Sequence, residues 1–309
     1  MDTLPYDREG RAMLSAVALC VAEEGTAADI VALEAALKRV RGAAMERLKW
    51  DALKPSLNAM VAEWRRRFRL QEALAKTLLS GMVREGTALE PTPVWRGFLK
   101  LLAGQLTSTP EDNDAIRAAV EAASRAALAS IGKGMYGVSF TMRDIGAIKW
   151  AAERAAQLVA EVNTATVAEI RSLVTQGVNQ GWSYDRTAGA IIERFHSYGV
   201  ERPQLHIASR AHLIAVTENA FAFERSHLAM ARMLVEAGIP MVKEWGVSGD
   251  ERQCSVCEGN AEQGPIPLDE TFDDDSEAPP AHPACRCWME TYIDPDAEVP
   301  DVSGILGQM

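Results

Sequence analysis

Five side chains able to bind a soft or borderline metal stand within 34 residues near the end of this chain: Cys254 and Cys257 in CSVC, then His282, Cys285 and Cys287 in HPACRC. The residues before them hold one cysteine, Cys20. Thiolates and imidazoles are the donors that zinc takes in fours, in a tetrahedron with Zn–S distances of about 2.3 Å. A C-x-x-C turn brings two sulfurs to one side of a metal, and H-x-x-C brings two more donors from a second turn. Cys254, Cys257, His282 and Cys285 therefore form a complete set for a structural zinc, with Cys287 as the alternative ligand. On a strand, Cys285 and Cys287 would share a face but stand about 7 Å apart, too far for neighbouring ligands unless the backbone tightens.

Three other readings of the cluster compete. The cysteines could pair as disulfides, although a protein made and folded in the cytoplasm keeps its thiols reduced. A catalytic zinc needs an open position and a nearby acid or base. Zinc deaminases carry H-x-E before their cysteine pair, whereas His282 is followed by Pro283 and Ala284, and the H-E-x-x-H pattern is absent. Four unliganded cysteines packed as small hydrophobes fit a polar loop poorly.

Weaker candidates read as ordinary structure. Asp273, Asp274 and Asp275 lack the spacing of a calcium loop and read as a solvated acidic loop. His206, His212 and His227 share a helix without a carboxylate set and read as surface or boundary residues. Arg65, Arg66 and Arg67 beside Trp64 read as a solvated helix face, and Cys20 as a core residue.

The elements that must position the cluster follow from composition and rhythm. Of 309 residues, 48% are apolar and only 6% aromatic; with so much alanine, helices are favoured over sheets. The expected fold is mainly α, with multi-helix N-terminal and central regions and a small C-terminal β module closed by the Cys/His cluster. The net charge of -11 is concentrated at the C-terminal end, where residues 250–301 hold 15 acidic residues against Arg252 and Arg286. Such a surface repels phosphate backbones, which argues against nucleic-acid binding by that end. Asp2, Asp7 and Glu9 stand where a signal peptide needs positive charge, and the apolar run from Met13 to Ala22 is too short to cross a bilayer. No membrane-spanning segment is expected.

Along the chain, Thr26 caps a helix expected over Ala27–Arg41 with Gly42 past its end, and residues 45–85 continue in helical rhythm interrupted near Pro55. Thr109 and Pro110 open a helix expected to reach Ile131 and stop at the GKG of residues 132–134, leaving 132–137 as a linker. The stripe Leu158, Val162, Thr166, Ile170, Val174, Val178 marks one long amphipathic helix ending at Gly181. A shorter helix follows around 188–195, and a third runs from about Pro203 to Ala237. MVKEWGVS and CRCWMETYI read as strands, and residues 250–283 between them as a proline-rich loop with little apolar surface. The expected division is 1–137 (helical, docking), 138–240 (helical core), 241–293 (β module with the cluster) and 294–309 (tail).

GDERQCSVCEGNAEQGPIP followed by PPAHPACRC resembles the closing signature of the phage Mu F-like head morphogenesis family, the minor head proteins of tailed phages. QGVNQGWSYDRTAGAI, ASRAHLIAVTENAFAFERSHLAMARMLVEAG and EWGVSGDER match that family's order of elements, so the resemblance covers about residues 150–293. The family usually has an arginine before its T-E pair, where this chain has Val216 before Thr217 and Glu218. That pair reads here as an exposed helix face. The resemblance implies a non-enzymatic virion protein, assembled in the host cytoplasm. Its partners would be the portal or major capsid protein, and its role head assembly or genome delivery. Some relatives carry C-terminal toxin or enzyme extensions; with about 16 residues after the last strand, none is expected here. The alternatives are a zinc-dependent phage enzyme and a packaging factor that contacts DNA through its N-terminal region.

Overall fold

A computed structural model describes residues 27–84, 91–106, 113–137, 139–143, 145–199, 209–248 and 253–297, with side chains described over most of these from Ala44 onward. The expected caps Thr26 and Thr109, Pro110, Pro203, His206, Cys20, the N-terminal acidic residues and the tail beyond residue 297 lie outside the described residues. The chain is mainly α. In order come α1 (Ala27–Arg84), α2 (Pro91–Gln105), α3 (Asp114–Ala127), a π-helical segment (Leu128–Tyr136), α4 (Ala147–Asn179), α5 (Tyr184–Gly199), α6 (Arg210–Glu236), β1 (Met241–Gly246), α7 (Ser255–Glu262), β2 (Ile266–Pro267) and β3 (Trp288–Ile293).

α1 is one helix where a break at Gly42 and another near Pro55 were expected. Lys49, Leu53, Ser56, Met60, Trp64, Phe68, Gln71, Ala75 and Leu79 are all buried, and steps of three and four residues keep them on one face. An interior glycine costs only about 1 kcal/mol against alanine, too little to end a helix carrying so long a buried stripe. Pro55 is exposed, so the Asp51 carbonyl that it leaves without an intrahelical donor faces water.

The GKG triplet does not stop its helix either. After Ala127 the backbone widens into π turns that run through Gly132 and Gly134 and end at Gly137, whose φ of 71° is left-handed and whose N–H returns to the Gly132 carbonyl. Ile131 is fully buried, so packing holds the stretch in helical form, and the wider turn takes the extra residues. α4 buries its predicted stripe from Leu158 to Val174 but leaves Val178 exposed, and it ends as expected, with Gly181 at φ 64° and the Trp182 N–H on the Gly177 carbonyl at 2.8 Å.

β1 and β3 form where the sequence predicts strands. They pair antiparallel with Val242 opposite Tyr292 and Trp245 opposite Met289, and β2 adds to the other edge of β1 in the order β2-β1-β3. Residues 253–283 are not a bare loop: they contain α7 and β2, and bury Ile266, Leu268 and Phe272. Contacts divide the chain into two compact units, each gathered from separated segments. One holds residues 1–54, 123–147 and 220–309, the other 55–122 and 148–219.

Candidate metal centre

CSVC winds the first turn of α7. Cys254 is the N-cap, in extended conformation, and its Sγ accepts the Cys257 N–H at 3.4 Å, so both sulfurs emerge on one side. HPAC forms the second turn, closed by the Cys285 N–H on the His282 carbonyl at 3.1 Å and by Ala284 at φ 58°. His282 Nδ1 lies 3.0 Å from the Pro283 carbonyl, which only accepts, so Nδ1 carries the proton and Nε2 presents its lone pair. That is the tautomer a metal-bound histidine adopts when its second nitrogen is held by a carbonyl.

Nε2 lies 3.1 Å from Cys254 Sγ and 3.4 Å from Cys257 Sγ, and Cys257 Sγ lies 3.7 Å from Cys285 Sγ. Edges of a zinc tetrahedron are about 3.8 Å between sulfurs and about 3.6 Å between sulfur and nitrogen. Cys254, Cys257 and His282 thus stand near coordination spacing, Cys285 approaches only Cys257 and Cys287 among them, and all four thiols are free. Two groups of donor atoms fall within 4.8 Å of one another, Cys254–Cys257–His282 and Cys257–Cys285–Cys287. This Cys/His cluster can hold a metal ion. Cys287 comes closer than a strand would allow, because β3 begins only at Trp288.

The thiols are unequal. Hydrogen bonds from Cys257 and Cys287 pull Cys285 far below the ordinary thiol value, and the same contacts push Cys257 up. Burial would raise Cys254, but the Cys257 amide and His282 outweigh it and lower it on balance. Burial would lower His282, and the Pro283 carbonyl with the sulfurs of Cys285 and Cys254 reverses that. The cluster therefore favours thiolate at its centre. Trp245, Ile266 and Phe272 pack over it, with Trp245 edge-on to Phe272 at 4.9 Å.

Part of the support is not visible as a motif. Lys49 and Glu224 pair at 2.8 Å, both essentially excluded from solvent. Lys49 donates to the Cys287 carbonyl at 2.6 Å, while Glu224 accepts the Met289 N–H at 3.1 Å. Together they satisfy backbone groups at the start of β3, which is an edge strand of the described sheet. His227, expected near the surface, is buried: its Nε2 lies 2.9 Å from both Tyr136 OH and Thr291 Oγ1. A lysine on the apolar stripe of α1 was the available signal, and its partner lies 175 positions away.

Other expectations divide. Arg66 and Arg67 bind Glu63 on their own helix at 2.8 Å. Asp273 and Asp275 are exposed, as a solvated loop requires. The loop is tied from beneath by Lys243, which donates to the Leu268 carbonyl at 3.3 Å and the Glu277 carbonyl at 2.8 Å. Glu218 is not exposed: Arg154 on α4 grips it with two bonds, at 2.8 and 2.6 Å. An arginine thus reaches this glutamate from another helix rather than from the position before the T-E pair.

The model of the family described as Phage Mu protein F like protein matches residues 168–290. Across that span the chain is similar to the phage Mu F-like family. The Mu F-like region runs from within α4 to Glu290 on β3 and contains all five cluster residues. No curated protein and no solved structure matches the chain. Among the described residues, no helix is long and apolar enough to cross a membrane.

Proposed function

We propose that this Mu F-like protein is a minor head protein of a tailed phage. It associates with the portal or the inner capsid surface and acts in head assembly or genome delivery, without catalytic activity of its own. Its helical region, residues 1–137, supplies docking contacts. The observation that carries this reading is the family match itself, which closes on the Cys/His cluster. We assign that cluster to one structural zinc held by Cys254, Cys257, His282 and Cys285, with Cys287 as the alternative fourth ligand. Three thiolates and a neutral imidazole give a formal charge of -1 and leave no open position for water or substrate. The supporting chemistry is the donor spacing and the Nε2 lone pair facing the sulfurs.

Mass spectrometry of purified particles before and after genome ejection tests the assignment to the virion. The expected result is a low-copy component present in full particles; particles that assemble normally and contain none of it overturn the reading. Metal analysis of the purified chain is expected to give about one zinc per molecule.

A further inference from the structure

We propose that the groove between α2 and α4 is a docking site for a short amphipathic helix of a partner protein, one whose apolar face is flanked by carboxylates. Two adjoining hollows of about 540 and 570 Å³ run along it and share Ala103 and Arg171 as walls. Leu99, Ala103, Val167 and Val174 give it an apolar lining. Trp95 to Leu106 extends roughly 16 Å at 1.5 Å per residue, so the groove accommodates about three helical turns.

Charge defines the occupant. Arg96, Lys100 and Arg171 all line one hollow and are exposed, and among the described residues none of them has a carboxylate partner. α2, PTPVWRGFLKLLAGQ, contains no acidic residue, and neither does the last part of α4, IRSLVTQGVN. The other arginine of α4, Arg154, is matched by Glu218. Three cations without a carboxylate partner among the described residues, two in one hollow and Arg171 where the hollows meet, select an apolar segment with carboxylates flanking its apolar face. Nucleic acid fits less well, because the lining is apolar and Trp95, buried and stacked on Tyr184 at 5.1 Å, offers no free face to a base.

This inference goes beyond the head-protein reading and rests on the groove alone. The test titrates the full chain with two synthetic helical peptides that share one leucine stripe, one carrying glutamates beside it and the other lysines. Duplex DNA serves as a third probe. The glutamate peptide is expected to bind and to protect residues 95–106 and 160–179 from hydrogen exchange, with the lysine peptide weaker by at least about tenfold. Lys100→Glu with Arg171→Glu should reverse that preference. Ala103→Trp, at an exposed position, should block both peptides while circular dichroism stays unchanged. No binding, equal binding of the two peptides, protection elsewhere, or DNA binding at these residues in place of the glutamate peptide would each overturn the proposal. Particle composition decides the head-protein reading separately.

Discussion

Lys49 and Glu224 show how a single buried charge pair can fix the geometry of a site to which neither residue contributes a ligand. Burial alone would raise the Glu224 carboxyl, but Lys49 and His227 outweigh it and hold it below its ordinary value of 4.5. Its folded value is therefore depressed, so the stability that it contributes is complete above about pH 4.5 and is lost as pH falls through the lower folded value. Lys49→Met leaves Glu224 buried without its partner and should cost about 3–5 kcal/mol in urea unfolding. The double variant Lys49→Met/Glu224→Leu should lose less than the two single losses added; strict additivity would mean that the pair does not act as a unit. Gly246 is a second sensitive position. A Cβ there would fall 2.1 Å from Trp288 Nε1, and Trp288 is buried. Gly246→Ala should therefore destabilise by about 1–3 kcal/mol through displacement of that indole, and an unchanged melting temperature would show that the ring has room to move.

At the scale of elements, the Cys/His cluster brings the start of α7 to the turn before β3 across 25 residues, from Cys257 to His282. Closing a loop of that length costs about 3 kcal/mol of chain entropy, which the proposed zinc would supply and the unmetallated chain must find elsewhere. Chelation, or Cys257→Ser, is expected to raise hydrogen exchange over residues 253–293 while α4 and α5 stay protected. Cys287→Ser should be milder. Retention of about one zinc per chain in Cys257→Ser, or equal damage from Cys287→Ser, would show the ligand assignment to be wrong. The buried Ile266, Leu268 and Phe272, and Lys243 beneath the loop, set a floor on the disorder: part of the segment should survive metal loss. That residual order was illegible in the sequence. The helical stripes, both long strands and the Cys/His cluster follow local rules of period and spacing, so they could be read directly. Phe272 among prolines and aspartates shows no period, and α7 hides behind the C-x-x-C that caps it. The exposed reading of Glu218 failed similarly, because Arg154 reaches it from 64 positions away. The helix stops expected at Gly42 and Gly132 failed because packing overrides a cost of about 1 kcal/mol per glycine.

At the scale of the whole molecule, neither compact unit is a continuous stretch of chain. α1 gives residues up to Lys54 to one unit and from Pro55 onward to the other, and α6 changes units between Asn219 and Ala220. The unit that holds the Cys/His cluster therefore depends on residues far earlier in the chain, Lys49 lying 238 positions before Cys287. Without them, Glu224 loses Lys49, and the Cys287 carbonyl and Arg286 lose their bonds to Lys49 and Glu46. A fragment of residues 138–309 keeps every candidate ligand and the acidic segment of residues 250–301, yet it lacks Lys49, Leu53, Ile131 and the Tyr136 hydroxyl that meets His227. Loss of the Lys49 partner alone is worth about 3–5 kcal/mol, a large part of the roughly 5–15 kcal/mol that stabilises an ordinary domain. The fragment should consequently show reduced helicity by circular dichroism and no cooperative melt, and it should bind zinc without becoming a single folded species. Zinc binding in that state follows from the ligands being local in sequence, while failure to fold follows from their support being distant. A 138–309 fragment that melts cooperatively near the temperature of the full chain would show that the N-terminal part of α1 is dispensable to the metal-bearing unit.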